Sequence, residues 1–248
     1  MRIDGAVALV TGANRGLGAA FAAALTARAA GRVYAAARDP AQVTDPRLVP
    51  VRLDITDPAQ VAAAAERCGD VTLLINNAAL ASAAAIAQHS GLASAAAADD
   101  ARAEMETNYF GTLAMCRAFA PVLARNGGGA LVNMLSIVSF MSVPGMGPFC
   151  ATKAALWSAT NGLRMELRRQ GTLVVAVHAS FIDTRLAEGF GGAKHAPADI
   201  AAQVLDAVEA GREEVLADER TRTVKAAVPR DLELIYPGLE RQVAAVAR

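Results

Sequence analysis

The sequence predicts a doubly wound α/β fold, a parallel sheet with helices on both faces, and three observations predict it. Val7 to Gly18 reads V-A-L-V-T-G-A-N-R-G-L-G, an apolar run that drops into a glycine-spaced turn, and an apolar-periodic segment from Ala19 to Ala30 follows it. Apolar runs of about five residues then alternate with helical periods along the chain, a pattern that demands right-handed crossovers and a sheet covered on both faces. No linker, internal repeat or low-complexity tract divides the 248 residues. A single domain over 1–248, with a C-terminal extension about 219–248, is therefore expected.

The elements follow in order. Val7 onward is the first strand. In the turn behind it, Gly12 allows the chain to reverse, Gly16 lets backbone approach a pyrophosphate, and Gly18 lets the helix pack close to the sheet. Free N–H groups and the helix dipole favour a phosphate at that helix start. Arg32 to Ala37 is the second strand and Leu48 to Leu53 the third, ending at Asp54. Asp57 caps a helix that Pro58 opens and that runs to about Cys68. Val71 to Ile75 is the fourth strand, ending in N-N-A-A. Ser82 to Ala98 reads as a small-residue loop with a short helix. Asp99 to Arg125 is one long helix, stopped by Asn126-Gly127-Gly128-Gly129. Ala130 to Leu135 is the fifth strand, Ser136 to Pro148 a loop, Phe149 to Gln170 a helix, and Leu173 to His178 the sixth strand. Ile200 to Ala210 is helical, Glu214 to Ala217 is a seventh strand, and the tail is helical pieces broken at Pro229 and Pro237-Gly238.

Composition narrows the function. Lysine plus arginine equals aspartate plus glutamate at 24 each, so nothing in the net charge calls for nucleic acid or an anionic membrane as partner. Hydrophobic residues make up 54% of the chain, enough for a large core. The three cysteines, Cys68, Cys116 and Cys150, have no metal-like spacing and suit a reducing compartment. No stretch has the apolar length of a membrane span, and M-R-I-D-G lacks a signal peptide's apolar region. A cytoplasmic protein without metal is expected.

Ligands of such sheets sit beyond the carboxyl ends of the strands, so the residues after each strand carry the function. They are T-G-A-N-R-G-L-G after the first, N-N-A-A after the fourth, M-E-T-N-Y-F-G in the next helix, Ser136 after the fifth, and F-C-A-T-K at 149–153. This ordered set resembles the short-chain dehydrogenase/reductases over nearly the whole chain. That family carries TGxxxGxG, NNAG, a helical Asn, a Ser and YxxxK in this order, within a single Rossmann-like domain. The resemblance implies a phosphate turn of Thr11, Gly12, Asn14, Arg15, Gly16, Leu17 and Gly18. It implies Asp54 and Ile55 by the adenine, Asn76 by its ribose, and Ala78 beside the cofactor. Asn108 would hold a water and bend its helix, Ser136 would orient the substrate oxygen, Lys153 would bond the nicotinamide ribose, and Thr184 would reach the carboxamide. It further implies a homodimer or homotetramer built on the helices at 99–125 and 149–170.

Cofactor choice follows from charge. An acid ending the second strand would bind an adenosine 2′-hydroxyl and repel a 2′-phosphate. Ala37 stands there, followed by Arg38, and Arg15 lies in the glycine turn. Two guanidiniums suit a phosphate, so NADP(H) is preferred to NAD(H).

Three departures from the family pattern stand out. Ala79 replaces the glycine of NNAG and is expected to shift the backbone slightly. Ala179-Ser180 replaces Pro-Gly after the sixth strand, leaving that loop's path open. Phe149 occupies the place of the catalytic tyrosine, four residues before Lys153 and thirteen after Ser136. Reduction of a carbonyl needs a proton that a phenyl ring lacks. Four readings of Phe149 stand: a deliberate Tyr→Phe replacement, a natural reductase using water, Cys150, His178 or another group, a redox-neutral isomerase or dehydratase, and a non-catalytic NADP-binding module. Phe140, Met141, Val143, Met146 and Phe149, with Phe181, Ile182, Phe190 and the 82–98 segment, are expected to form a pocket for an apolar or aromatic ketone or alcohol.

Overall fold

A computed structural model describes residues 1–81, 92, 98–188 and 193–246. Its strands are β1 (Val7–Thr11), β2 (Arg32–Ala37), β3 (Val49–Arg52), β4 (Leu73–Asn76), β5 (Ala130–Met134), β6 (Leu173–His178) and β7 (Glu214–Leu216). They form one sheet in the order β3-β2-β1-β4-β5-β6-β7, every pair parallel. Parallel neighbours need crossovers, and helices supply them on both faces. On one face lie α1 (Gly16–Ala27) and α6 (Pro197–Glu209), sealing a core that includes Phe21, Leu25, Val204 and Leu205. On the other lie α2 (Pro58–Arg67), α4 (Thr112–Arg125) and α5 (Gly147–Leu167), around Met115, Phe119, Leu123 and Leu163. The strands are therefore apolar on both sides, which is why they read as unbroken runs.

Local chemistry sets the boundaries. The first helix begins at Gly16, three residues earlier than the apolar period indicates, because Gly16 adopts φ +54° and turns the chain straight into it. It ends at Ala27 rather than Ala30, with Ala29 in a left-handed conformation at φ 58°. The Asp57 carboxylate accepts from Ala59 N and Gln60 N, capping α2 as its sequence predicts. The segment expected as one helix from Asp99 is α3 (Ala98–Met105), a π-helical turn (Glu106–Gly111) and α4. The loop expected over Ser136 to Pro148 contains a 3₁₀ turn at Ile137–Ser139, and α5 starts at Gly147, placing Phe149 inside the helix.

The sheet order reverses between β1 and β4, and the crevice there is the expected ligand position. Beyond β7 the tail forms α7 (Glu219–Ala227), a 3₁₀ turn (Val228–Arg230), α8 (Asp231–Leu234) and α9 (Tyr236–Val246). Ile235 and Leu239 of this tail pack on Ile137, Met141 and Phe149, so it closes over the carboxyl end of the sheet near Ser136. Among the described residues no helix is long and apolar enough to cross a membrane, and no cluster of His, Cys, Asp or Glu could hold a metal ion.

Candidate active site

At the crevice, β1 and β4 are bolted together. Thr11 Oγ1 accepts from Asn77 N (2.9 Å) and Ala78 N (3.0 Å), and Asn77 Nδ2 donates to Thr11 O (2.9 Å) and Gly12 O (3.3 Å). Thr11 Oγ1 thereby ties the glycine turn to the chain after β4. A Cβ built on Gly18 would lie 2.1 Å from Gly12 O, so no larger residue fits under the turn. No side chain caps the start of α1, which leaves its first-turn N–H groups to a ligand. Leu17, expected among the cofactor residues, buries its side chain in the core beneath α1, leaving only backbone for a ligand.

Beside this turn is a cavity of about 290 Å³ lined by Asn14, Arg15, Arg38, Asp39 and Gln42. Asn14 Nδ2 donates to Gln42 Oε1 at 2.7 Å. Asp39 is turned into its own loop, where its carboxylate accepts from Ala41 N and Gln42 Nε2, both at 3.1 Å. Arg15 and Arg38 are exposed and form no ion pair with it.

Several residues implied by the resemblance are held elsewhere. Asn76 points into the sheet's helical layer, not toward a ribose. Its Nδ2 donates to Asn133 Oδ1 (2.9 Å) and Cys116 Sγ (3.3 Å), because side chains alternate along a strand and Asn77 takes the crevice side. Ile55 is buried against Gly111 of the π-helical turn. Asp54 accepts from Thr56 N and Thr56 Oγ1, which fixes the loop after β3. Asn108 lies in the π-helical turn, so its helix is deformed there. It accepts from Leu80 N (2.7 Å) and donates to Leu80 O (2.8 Å) and Thr152 Oγ1 (3.1 Å), gripping the chain after β4. Ala79 is exposed and has no left-handed backbone, so alanine fits there without strain. The Thr184 side chain lies against Gly16, where an added Cβ would be 3.3 Å from its methyl, joining the loop after β6 to the glycine turn.

Beyond β5, Lys153 meets Phe149, and Ser136 lies in the loop that leaves the strand. Lys153 is buried and donates to Met134 O at 2.8 Å, and its Nζ lies 5.5 Å from the Phe149 ring centroid. Burial pushes the ammonium down to about 8. Ser136 is half-buried; its Oγ accepts from Val138 N, capping the 3₁₀ turn. The peptide of Ser136 is held from behind: His178 Nδ1 lies 3.1 Å from Ser136 O. A carbonyl only accepts, so His178 carries its proton on Nδ1. The ring is fully buried, stacked 4.3 Å on Phe140, and burial pushes it down to about 4. His178 thus supports Ser136 from within the core. Phe140, expected in the pocket, is drawn to His178 and Trp157 instead. Burial raises the Cys150 thiol, which keeps it protonated. Met141, Val143, Met146 and Phe149 do share one apolar cluster. Phe181 lies beneath the Arg220 guanidinium, and Ile182 bridges to His195. Phe190 lies outside the described residues, as does the 82–98 segment except for Leu92 and Ala98.

The loop after β6 follows a defined path. Ala179 O accepts from Ile137 N (2.9 Å), and Ser180 N donates to the buried Asp218 carboxylate (2.8 Å), which also caps α7 through Thr221 N.

The chain is matched by known proteins in sequence and in fold. The sequence profile of short chain dehydrogenases covers residues 6–194. The chain belongs to the short-chain dehydrogenase family. It is 33% identical over 239 residues to a sorbitol dehydrogenase of Cereibacter sphaeroides, covering 92% of this chain and 85% of that one. It is 29% identical over 244 residues to an NADP-dependent 3-hydroxy acid dehydrogenase of Schizosaccharomyces pombe, covering 88% and 92%. A short chain dehydrogenase from Burkholderia cenocepacia, solved in complex with NADP, is 41% identical with a TM-score of 0.89, over 96% of this chain and 99% of that one. Within this short-chain dehydrogenase the sequence analysis overlooked Asn77, Thr152 and Asp218. Period-two alternation in Asn76-Asn77 and the Asp218-to-Thr221 cap spacing were the available signals; the tie from Asn108 to Thr152 is tertiary and had none.

Proposed function

We propose that this short-chain dehydrogenase is an NADP(H)-dependent oxidoreductase that interconverts an apolar or aromatic ketone and its alcohol. The cavity lined by Arg15 and Arg38 carries the cofactor choice. Both guanidiniums border a space next to the glycine turn, and the acid nearby, Asp39, is committed to its own loop. Two cations and no free carboxylate favour a 2′-phosphate over a hydroxyl. The NADP-bound neighbour supports the same reading. The apolar cluster of Met141, Val143, Met146 and Phe149 supports the substrate class.

NADPH supplies hydride when bound. The α1 amides would hold its pyrophosphate, Arg15 and Arg38 its 2′-phosphate, and Lys153 its nicotinamide ribose. Ser136 would donate a hydrogen bond to the substrate oxygen, its peptide kept in place by His178. Phe149 supplies no proton, which slows reduction and favours, as a second reading, redox-neutral chemistry on a bound cofactor. Calorimetry with NADPH and NADH tests the cofactor: at least tenfold tighter NADPH binding is expected, and equal affinities would overturn it. Product analysis of an aromatic ketone incubated with NADPH separates alcohol formation from isomerisation. The chain is further proposed to form a homodimer or homotetramer through the long helices that carry exposed Phe110 and Met165.

A further inference from the structure

The chain has three phenols, and their placement differs sharply. Tyr34 hydrogen-bonds Asp70 near the start of the sheet, far along the strands from Ser136. Tyr109 packs in the π-helical turn against Phe110 and beside Leu135 and Leu156. Tyr236 opens α9, directly after Ile235, which is buried on Phe149, Ile137 and Met141. Its hydroxyl is fixed: Ser142 N donates to Tyr236 Oη at 3.3 Å. Ser142 belongs to the loop that follows Ser136, and its side chain meets the Cys150 thiol. A short polar line, Tyr236 to Ser142 to Cys150, thus ends at the apolar cluster that contains Phe149. In this line the phenol oxygen is an acceptor. Among the described residues no group takes the phenol's own proton, so it remains available to an oxygen brought onto that cluster.

We propose that Tyr236 is the substrate-binding phenol of this site, its hydroxyl donating a hydrogen bond to an oxygen of the ketone or alcohol held against Phe149. The inference rests on the oxidoreductase reading above and adds a residue that the tail, not the catalytic helix, delivers. An apolar pocket with one oriented O–H distinguishes a ligand carrying oxygen from the matching hydrocarbon, because that donor is satisfied only by the former. The same contact ties substrate binding to the C-terminal tail.

The test uses full-length protein saturated with NADP⁺, labelled with ¹³Cζ tyrosine so that Tyr34, Tyr109 and Tyr236 each give one signal. Acetophenone and ethylbenzene are titrated separately. Acetophenone is expected to shift the Tyr236 signal saturably and to leave Tyr34 unmoved. Tyr236→Phe is expected to weaken acetophenone about tenfold, with ethylbenzene and NADP⁺ affinities unchanged. A merely structural Tyr236 would weaken both aromatic probes equally, and that outcome overturns the proposal. Saturation by acetophenone with a silent Tyr236 signal overturns it too, as does failure of acetophenone to bind NADP⁺-loaded protein. Failure of NADP⁺ itself to bind overturns instead the oxidoreductase reading on which it rests.

Discussion

Lys153 and Phe149 stand one helical turn apart on α5, with the Lys153 ammonium 5.5 Å from the Phe149 ring centroid and hydrogen-bonded to Met134 O. A hydroxyl added to that ring would lie in the field of a buried cation, the condition that lowers a phenol's pKa. Phe149→Tyr is therefore expected to create or raise NADPH-dependent reduction of aromatic ketones by at least tenfold, within the roughly 10²–10⁴-fold that a positioned general acid contributes. Adding Lys153→Met should remove the gain. NADPH oxidation by parent, single and double variants measures it. A parent already as fast as the tyrosine variant would mean that the proton comes from elsewhere.

The pH profile of the Phe149→Tyr variant carries a second signature. Burial pushes Lys153 down to about 8, so its charge is present below that pH and lost above it. Reduction should fall as pH rises through about 8, as the ammonium that acidifies the phenol is neutralised.

Arg38→Ala should weaken NADPH by at least tenfold and change NADH affinity less than twofold, because in the proposed site only a 2′-phosphate would meet that guanidinium. Titration calorimetry with both cofactors checks the difference. Equal losses for both would place Arg38 outside the phosphate site.

Gly18→Ala should cost about 1–3 kcal/mol of stability in urea unfolding and reduce cofactor affinity. Its methyl would collide with Gly12 O at 2.1 Å, in the turn proposed to receive the pyrophosphate. Gly127→Ala has no such neighbour within 4 Å, though it pays for a φ of +88°, so it should leave NADPH binding intact.

His178 gives a stability prediction with a definite sign. Burial depresses its folded-state pKa to about 4, against about 6.5 for an ordinary histidine. Its neutral form therefore stabilises the fold fully above about pH 6.5, and that contribution is lost as pH falls toward about 4. Between those limits the parent should lose on the order of 3 kcal/mol more than His178→Gln. The comparison is of urea midpoints for the two proteins at pH 7 and pH 4.5. Parallel losses would show that His178 is not held neutral.

Much of the fold was legible in the sequence because it is written in local terms. Unbroken runs such as Leu173 to Val177 identify strands buried on both faces, Asp57-Pro58 declares a helix start, and the glycine spacing from Gly12 to Gly18 declares the turn between β1 and α1. Arg38 after β2 was readable too, since charge near a strand's carboxyl end needs no tertiary detail. What a side chain touches across the sheet was not readable. Asn76 and Asn77 are the same residue type in adjacent places, and only the strand's pleat sends one to Asn133 and the other to Thr11. Phe140 and Phe149 both follow β5, yet the buried His178 ring captures the first and leaves the second beside Lys153. Tyr236 lies 87 residues beyond Phe149 in sequence and meets Ser142 only because the tail folds back so that its neighbour Ile235 packs on Phe149. Local propensity and periodicity are properties of neighbouring residues, whereas these contacts depend on which distant surfaces the closed core brings within a few ångströms.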